Sequence, residues 1–209
     1  MPYTKAHKAR THARIVDAAS RAFRERGVEG VAIADLMRDA GLTHGGFYAH
    51  FPNKDALIAE AAIRGLADSR REFLSEAAAA NPVAPLREII RRYVSRHHRD
   101  HPAEGCVMPA LAGEIAREPD GVRHAFTGAV EELIAGIAEH CPGATPEARR
   151  DAALALTSGM VGAVALARAV DDPTLSDRIL LATRRYFTDA LAADAPSAAR
   201  SPAEREPGP

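Results

Sequence analysis

The residues best placed for chemistry lie between Ile33 and Leu57. Tyr48, His50 and Lys54 bring hydrogen-bonding ends together near the close of one short helical segment. Such groups suit phosphate oxygens, contacts that position a protein on a duplex without reading its sequence. Just before them stands Gly45-Gly46. A glycine inside a helix costs about 0.8–1 kcal/mol relative to alanine. A helix serving only the fold gains nothing from that cost, whereas one that must approach a DNA backbone or base edge does.

A second candidate is Cys106, in the run Gly105-Cys106-Val107-Met108-Pro109. Pro109 suits a first helical turn, which puts Cys106 near a helix N-terminus and favours its thiolate. The competing reading is a small buried hydrophobe. Lysine occurs only at positions 5, 8 and 54, so a cysteine–lysine switch further along the chain is excluded. Cys106 and Cys141 can pair only if the fold brings them together. A cysteine-dependent α-helical enzyme is an alternative from another class. No Cys-His-Asn/Asp arrangement is diagnostic, however, and the chain is read as a non-enzyme. His97 and His101 lie one helical turn apart. A metal site needs three or four ligands and nothing nearby completes this one by spacing, so neither metal nor cofactor is expected.

The elements that must hold these residues read as all-α. Ala-rich segments are punctuated by Pro and Gly, and β-branched runs of period two are absent. The pattern predicts about nine helices, over residues 6–26, 33–39, 44–50, 54–79, 84–99, 107–117, 120–140, 146–169 and 174–192. Asn53, Thr145 and Asp172 stand where N-caps are needed. Ile15, Ala18, Ala19, Ala22 and Phe23 give the first helix its apolar stripe. The two short helices at 33–39 and 44–50, with Gly41 at the pivot, read as a helix-turn-helix. Three divisions follow: a helix-turn-helix domain at 1–55, a larger helical domain at 56–192, to which the family resemblance given below assigns effector binding and dimerisation, and a tail at 193–209 expected to be disordered.

Charge follows the same division. The 209 residues hold 27 Lys+Arg and 28 Asp+Glu, a net −1 that taken whole argues against nucleic-acid binding. Yet residues 1–55 carry nine Lys+Arg against six Asp+Glu, and the remainder carries eighteen against twenty-two. The balance averages a basic head and an acidic body. Two cysteines, no apolar leader and a longest uncharged stretch of sixteen residues (152–167) predict a cytoplasmic protein with no membrane partner.

The run IADLMRDAGLTHGGFYAHFPNKDAL resembles the DNA-binding head of TetR-family transcriptional regulators. Ala40-Gly41, Tyr48-Ala49-His50-Phe51 and Lys54-Asp55-Ala56-Leu57 carry the likeness. The resemblance implies a ligand-responsive repressor that binds a pseudo-palindromic double-stranded DNA operator as a homodimer. By the same resemblance Thr43 caps the recognition helix, His44, Gly45, Gly46 and Phe47 face the major groove, Tyr48 and His50 contact phosphates, and Lys54 contacts the backbone. Ala32-Ile33-Ala34 lacks the Thr or Ser that many members place there. No Arg, Asn or Gln lies in the recognition helix, so readout is expected from His44, from Phe47 on thymine methyls, and from DNA shape.

For the body, the resemblance implies a four-helix dimer interface built from the last two helices. Ala155, Gly159, Gly162, Ala163 and Leu166 allow the close approach that this needs. It also implies an effector pocket for an unknown small molecule, with Phe73, Tyr93, Cys106, Met108, Leu111, Phe126 and Met160 as candidate lining. The Gly-Cys step at 105–106 resembles electrophile-responsive members of the family, which makes a thiol-based sensor an alternative mode of regulation.

Overall fold

The structure, a computed structural model, describes residues 5–193. The tail expected at 193–209 lies, but for its first residue, outside them. Among the described residues every regular element is helical. The chain runs through α1 (Lys5–Arg26), α2 (Ile33–Asp39), α3 (His44–Ala49), α4 (54–80), α5 (Pro85–Tyr93), α6 (Arg96–Asp100), α7 (Met108–Ile115), α8 (Asp120–Ala138), α9 (Pro146–Ala169) and α10 (Pro173–Ala193).

The predicted caps form. The Asn53 side chain accepts from Ala56 N at 2.9 Å, Thr145 Oγ1 from Ala148 N at 3.1 Å, and Asp172 Oδ1 from Thr174 N at 2.8 Å. Each satisfies a donor that the first helical turn leaves open. The helix expected over 84–99 is instead broken. Val94 leaves the helical region, and Ser95 is extended with its hydroxyl accepting from His98 N, which starts α6. A π-helical turn, Arg71–Glu76, interrupts α4.

One apolar core runs through the molecule, from Ile15 and Phe23 of α1 through Leu57 and Leu66 of α4 to Val164 of α9 and Leu180 of α10. α4 is the central strut, packing on α1 at one end and α8 along its length. It also runs straight through the expected boundary at 55/56, so head and body share a helix. α9 is long and apolar enough to cross a membrane by length and composition. Its Leu156, Met160 and Val164 are nonetheless committed to this core.

Candidate nucleic-acid interface

α2 and α3 meet at a turn in which Gly41 has φ 70°, a left-handed conformation that costs glycine little. The turn is held from outside by Arg14 of α1, whose Nη2 donates to the Ala40 carbonyl at 2.6 Å. α3 itself is a 3-10 helix of six residues. Short 3-10 segments are an ordinary outcome where helix propensity is weak, as at Gly45-Gly46.

The segment is anchored by aromatic packing. Phe47 is 0% exposed and stacks on Phe51 with ring centroids 5.4 Å apart. His12 of α1 stacks on the other side of Phe51 at 4.4 Å and bonds to Glu60 of α4 at 2.6 Å. Around this anchor Thr43, His44, Gly45, Tyr48 and Ala49 are exposed, Tyr48 by 64%. A Cβ placed on Gly45 would meet nothing within 4 Å, and neither Gly45 nor Gly46 has a positive φ. Nothing within the fold requires a glycine at position 45.

Several expectations need correction. Phe47 cannot read thymine methyls, because its ring lies wholly in the core. Thr43 gives α3 no side-chain cap; its carbonyl, rather than its hydroxyl, accepts from Gly46 N at 3.0 Å. Lys54 points its ammonium to the Val28 carbonyl at 2.8 Å, tying the start of α4 to the turn after α1. His50 is half-buried toward His12, and its Nδ1 is buried without a hydrogen-bond partner. Burial first, then His12 and Lys8, hold its proton affinity below the ordinary histidine value.

The body departs further. Cys106 is fully buried, and burial pushes its thiol up against the opposing influence of Tyr93 and Ser69. The thiolate expected from a helix N-terminus is therefore disfavoured. Both cysteines are free. Phe73, Tyr93, Met108, Leu111 and Met160 are buried together in the core, with Phe126 packed against it. Other residues line the clefts between α4 and α8 and between α6 and α10. On α9, Ala163 is buried and Gly159 receives the Phe187 ring of α10. These two serve packing within the chain. Ala155 and Leu166 are exposed, Leu166 by 59%, and Gly162 has open space around it.

Sequence reasoning missed the links between head and body. Glu114 of α7 accepts from Val28 N at 2.7 Å. The buried Arg24 of α1 donates to the Gly105 carbonyl at 2.5 Å. Burial lowers the proton affinity of Arg24, which nevertheless remains a cation at any ordinary pH. Neither link carries a local sequence signal, since the partners stand 86 and 81 residues apart.

Residues 15–61 match the family described as "Bacterial regulatory proteins, tetR family". The HTH-type transcriptional regulator TtgR of Pseudomonas putida is 36% identical over 83 residues, 40% of this chain and 39% of that protein. The HTH-type transcriptional repressor DhaR of a Mycobacterium species is 29% identical over 60% of this chain and 64% of its own length. The matches thus span less than two thirds of these curated relatives. The reduced form of NemR from E. coli superposes with a TM-score of 0.68 at 18% identity, over 86% of this chain and 96% of that one. A TetR transcriptional regulator from Chloroflexus aurantiacus gives 0.62 at 27% identity, over 87% and 96%.

Proposed function

The chain is a TetR-family protein in head and fold, and on that premise we propose that it is a DNA-binding transcriptional regulator acting as an effector-responsive repressor. A homodimer presents two α3 segments to adjacent major-groove turns, about 34–36 Å apart, on a pseudo-palindrome. The observation that carries this reading is Gly45. Its exposed position and the empty space around it leave an external surface as the reason for its size. Thr43, His44 and Tyr48 frame that surface, and His50 stands at its rim. Tyr48 and Thr43 take phosphates, and His44 supplies the base contact that Phe47 cannot.

The dimer reading draws support from the outer faces of α9 and α10. Leu175, Ile179, Ala182 and Tyr186 recur at helical spacing on one side of α10, and Leu166 of α9 is exposed as well. An apolar face of this kind marks an interaction surface.

The test is anisotropy with duplexes from upstream of the gene and from selected palindromes, across a salt series. Sequence-specific binding that weakens steeply with salt is expected. Gly45→Glu should abolish it without loss of thermal stability, because the fold leaves room for the side chain. Binding of equal strength by that variant would refute the assignment of α3. Leu166→Glu should halve the mass in solution; an unchanged dimer would place the interface elsewhere.

A further inference from the structure

A cleft of about 580 Å³ lies between the start of α6 and the first half of α10. It opens where the helical path breaks at Val94-Ser95. Its floor is apolar, formed by buried Val94 and Leu180, with Leu181 42% exposed at its edge. Its rim holds Arg96, Arg178 and Arg184 against a single carboxylate, Asp177.

That carboxylate is already engaged. Arg96 donates to Asp177 through Nε at 3.0 Å and through Nη2 at 2.5 Å, and Arg99 donates to it at 2.9 Å. Arg178 and Arg184 have neither a hydrogen bond nor an ion pair among the described residues. Two unpaired guanidinium groups beside an apolar floor create a positive potential that lacks its counter-charge. Arginine suits carboxylate recognition because its planar fork presents two parallel donors.

The cleft borders the face assigned above to a second copy, with Arg178 standing between the two. Asp177, Leu181 and Arg184 follow one another at four and three residues and face α6, whereas Leu175, Ile179, Ala182 and Tyr186 share a different side of α10. We propose that this cleft binds a small amphiphilic carboxylate, its apolar chain against Val94, Leu180 and Leu181 and its headgroup at Arg184 and Arg178. The bound carboxylate also competes with Asp177 for Arg96. That ion pair ties α10 to α6. α6 is joined to the segment that leads into α7 by Cys106 N donating to His98 Nε2 at 2.8 Å, and α7 to the head by Glu114. Coupling along this path rests on the DNA-binding reading; the site does not.

The experiment uses the full chain, with octanoate as probe and octanamide as its uncharged match. Calorimetry should show saturable octanoate binding, at least about tenfold weaker for octanamide and for the Arg178→Gln/Arg184→Gln double variant. The double variant should keep the wild-type melting temperature and mass in solution. Absence of saturable binding, equal affinity for octanamide, or undiminished binding by the double variant would overturn the site. A changed mass in the double variant would assign the cleft to a second copy and overturn it too. Where octanoate binds, DNA affinity is then measured with and without it. A shift in the wild type that the double variant lacks supports coupling, and no shift removes the coupling while the site stands.

Discussion

The carboxylate of Glu114 accepts a hydrogen bond from the amide of Val28 at 2.7 Å, so a helix of the body grips the turn that leaves α1 of the head. The Val28 carbonyl accepts from the Lys54 ammonium. Val28 is thereby fixed at both its polar groups, by α7 on one side and α4 on the other. Gly27 fits beneath Glu114 because a Cβ there would press on the carboxylate.

Glu114→Ala leaves the Val28 amide without its partner. A loss of about 1–3 kcal/mol in stability is expected, together with faster hydrogen exchange at that amide. Glu114→Gln retains an acceptor oxygen and should recover most of both. Unchanged exchange at Val28 in the alanine variant would show that the link does not hold the turn.

Phe47 and His44 separate packing from recognition within one short helix. Phe47→Ala removes a fully buried ring and should cost about 3–5 kcal/mol in urea unfolding. His44 is exposed, so His44→Ala should alter stability by no more than about 0.5 kcal/mol while weakening specific DNA binding. The reverse pattern would restore a groove-facing role to Phe47.

These two residues also show what was legible in the sequence. The caps at Asn53, Thr145 and Asp172 act over two or three positions, so local spacing suffices to find them. The helix-turn-helix is likewise a local pattern around Gly41. Which side of α3 faces inward depends on His12 and Phe51 closing over it, and two glycines leave little amphipathic signal. Ser95 was available as an N-cap, but the charged run after it reads as continuous helix. The burial of Cys106 depends on α1, α4 and α5 converging on it, which no spacing near position 106 encodes.

That burial makes its own prediction. A thiol must be exposed and ionised to react quickly, and Cys106 is neither. Iodoacetamide should leave it unmodified in the native protein and label it only in denaturant, as read by peptide mass spectrometry. Burial pushes Cys141 up as well, to about 11, so it should behave the same way. Rapid native labelling at Cys106 would revive the thiol sensor as the mode of regulation.

His98 ties the stability to pH. It is 2% exposed and packs against the rings of Tyr93 and Phe73, at 4.6 and 4.9 Å. Its Nδ1 donates to the Tyr93 carbonyl at 2.7 Å while Nε2 accepts from Cys106 N at 2.8 Å, an arrangement that requires the neutral ring. A proton on Nε2 would face the Cys106 N–H. Burial lowers the His98 pKa to about 4, the Tyr93 carbonyl opposes this, and Arg168, His97 and Arg24 push the same way as burial. The unfolded chain therefore takes up this proton near pH 6.5, well before the folded one does. The contribution is fully present above pH 6.5 and is lost as pH falls toward 4, on the order of 3 kcal/mol in all. Glu88, held at about 2 by Arg91 and Arg92, acts only below the ordinary carboxylate range, whereas His50, also lowered by burial, acts in the same direction as His98, so the variant rather than the window assigns the share of each. Urea unfolding at pH 7 and pH 5 should show the wild type losing stability across that window. His98→Gln should remove most of the difference, and an equal slope in the variant would move the titrating group elsewhere.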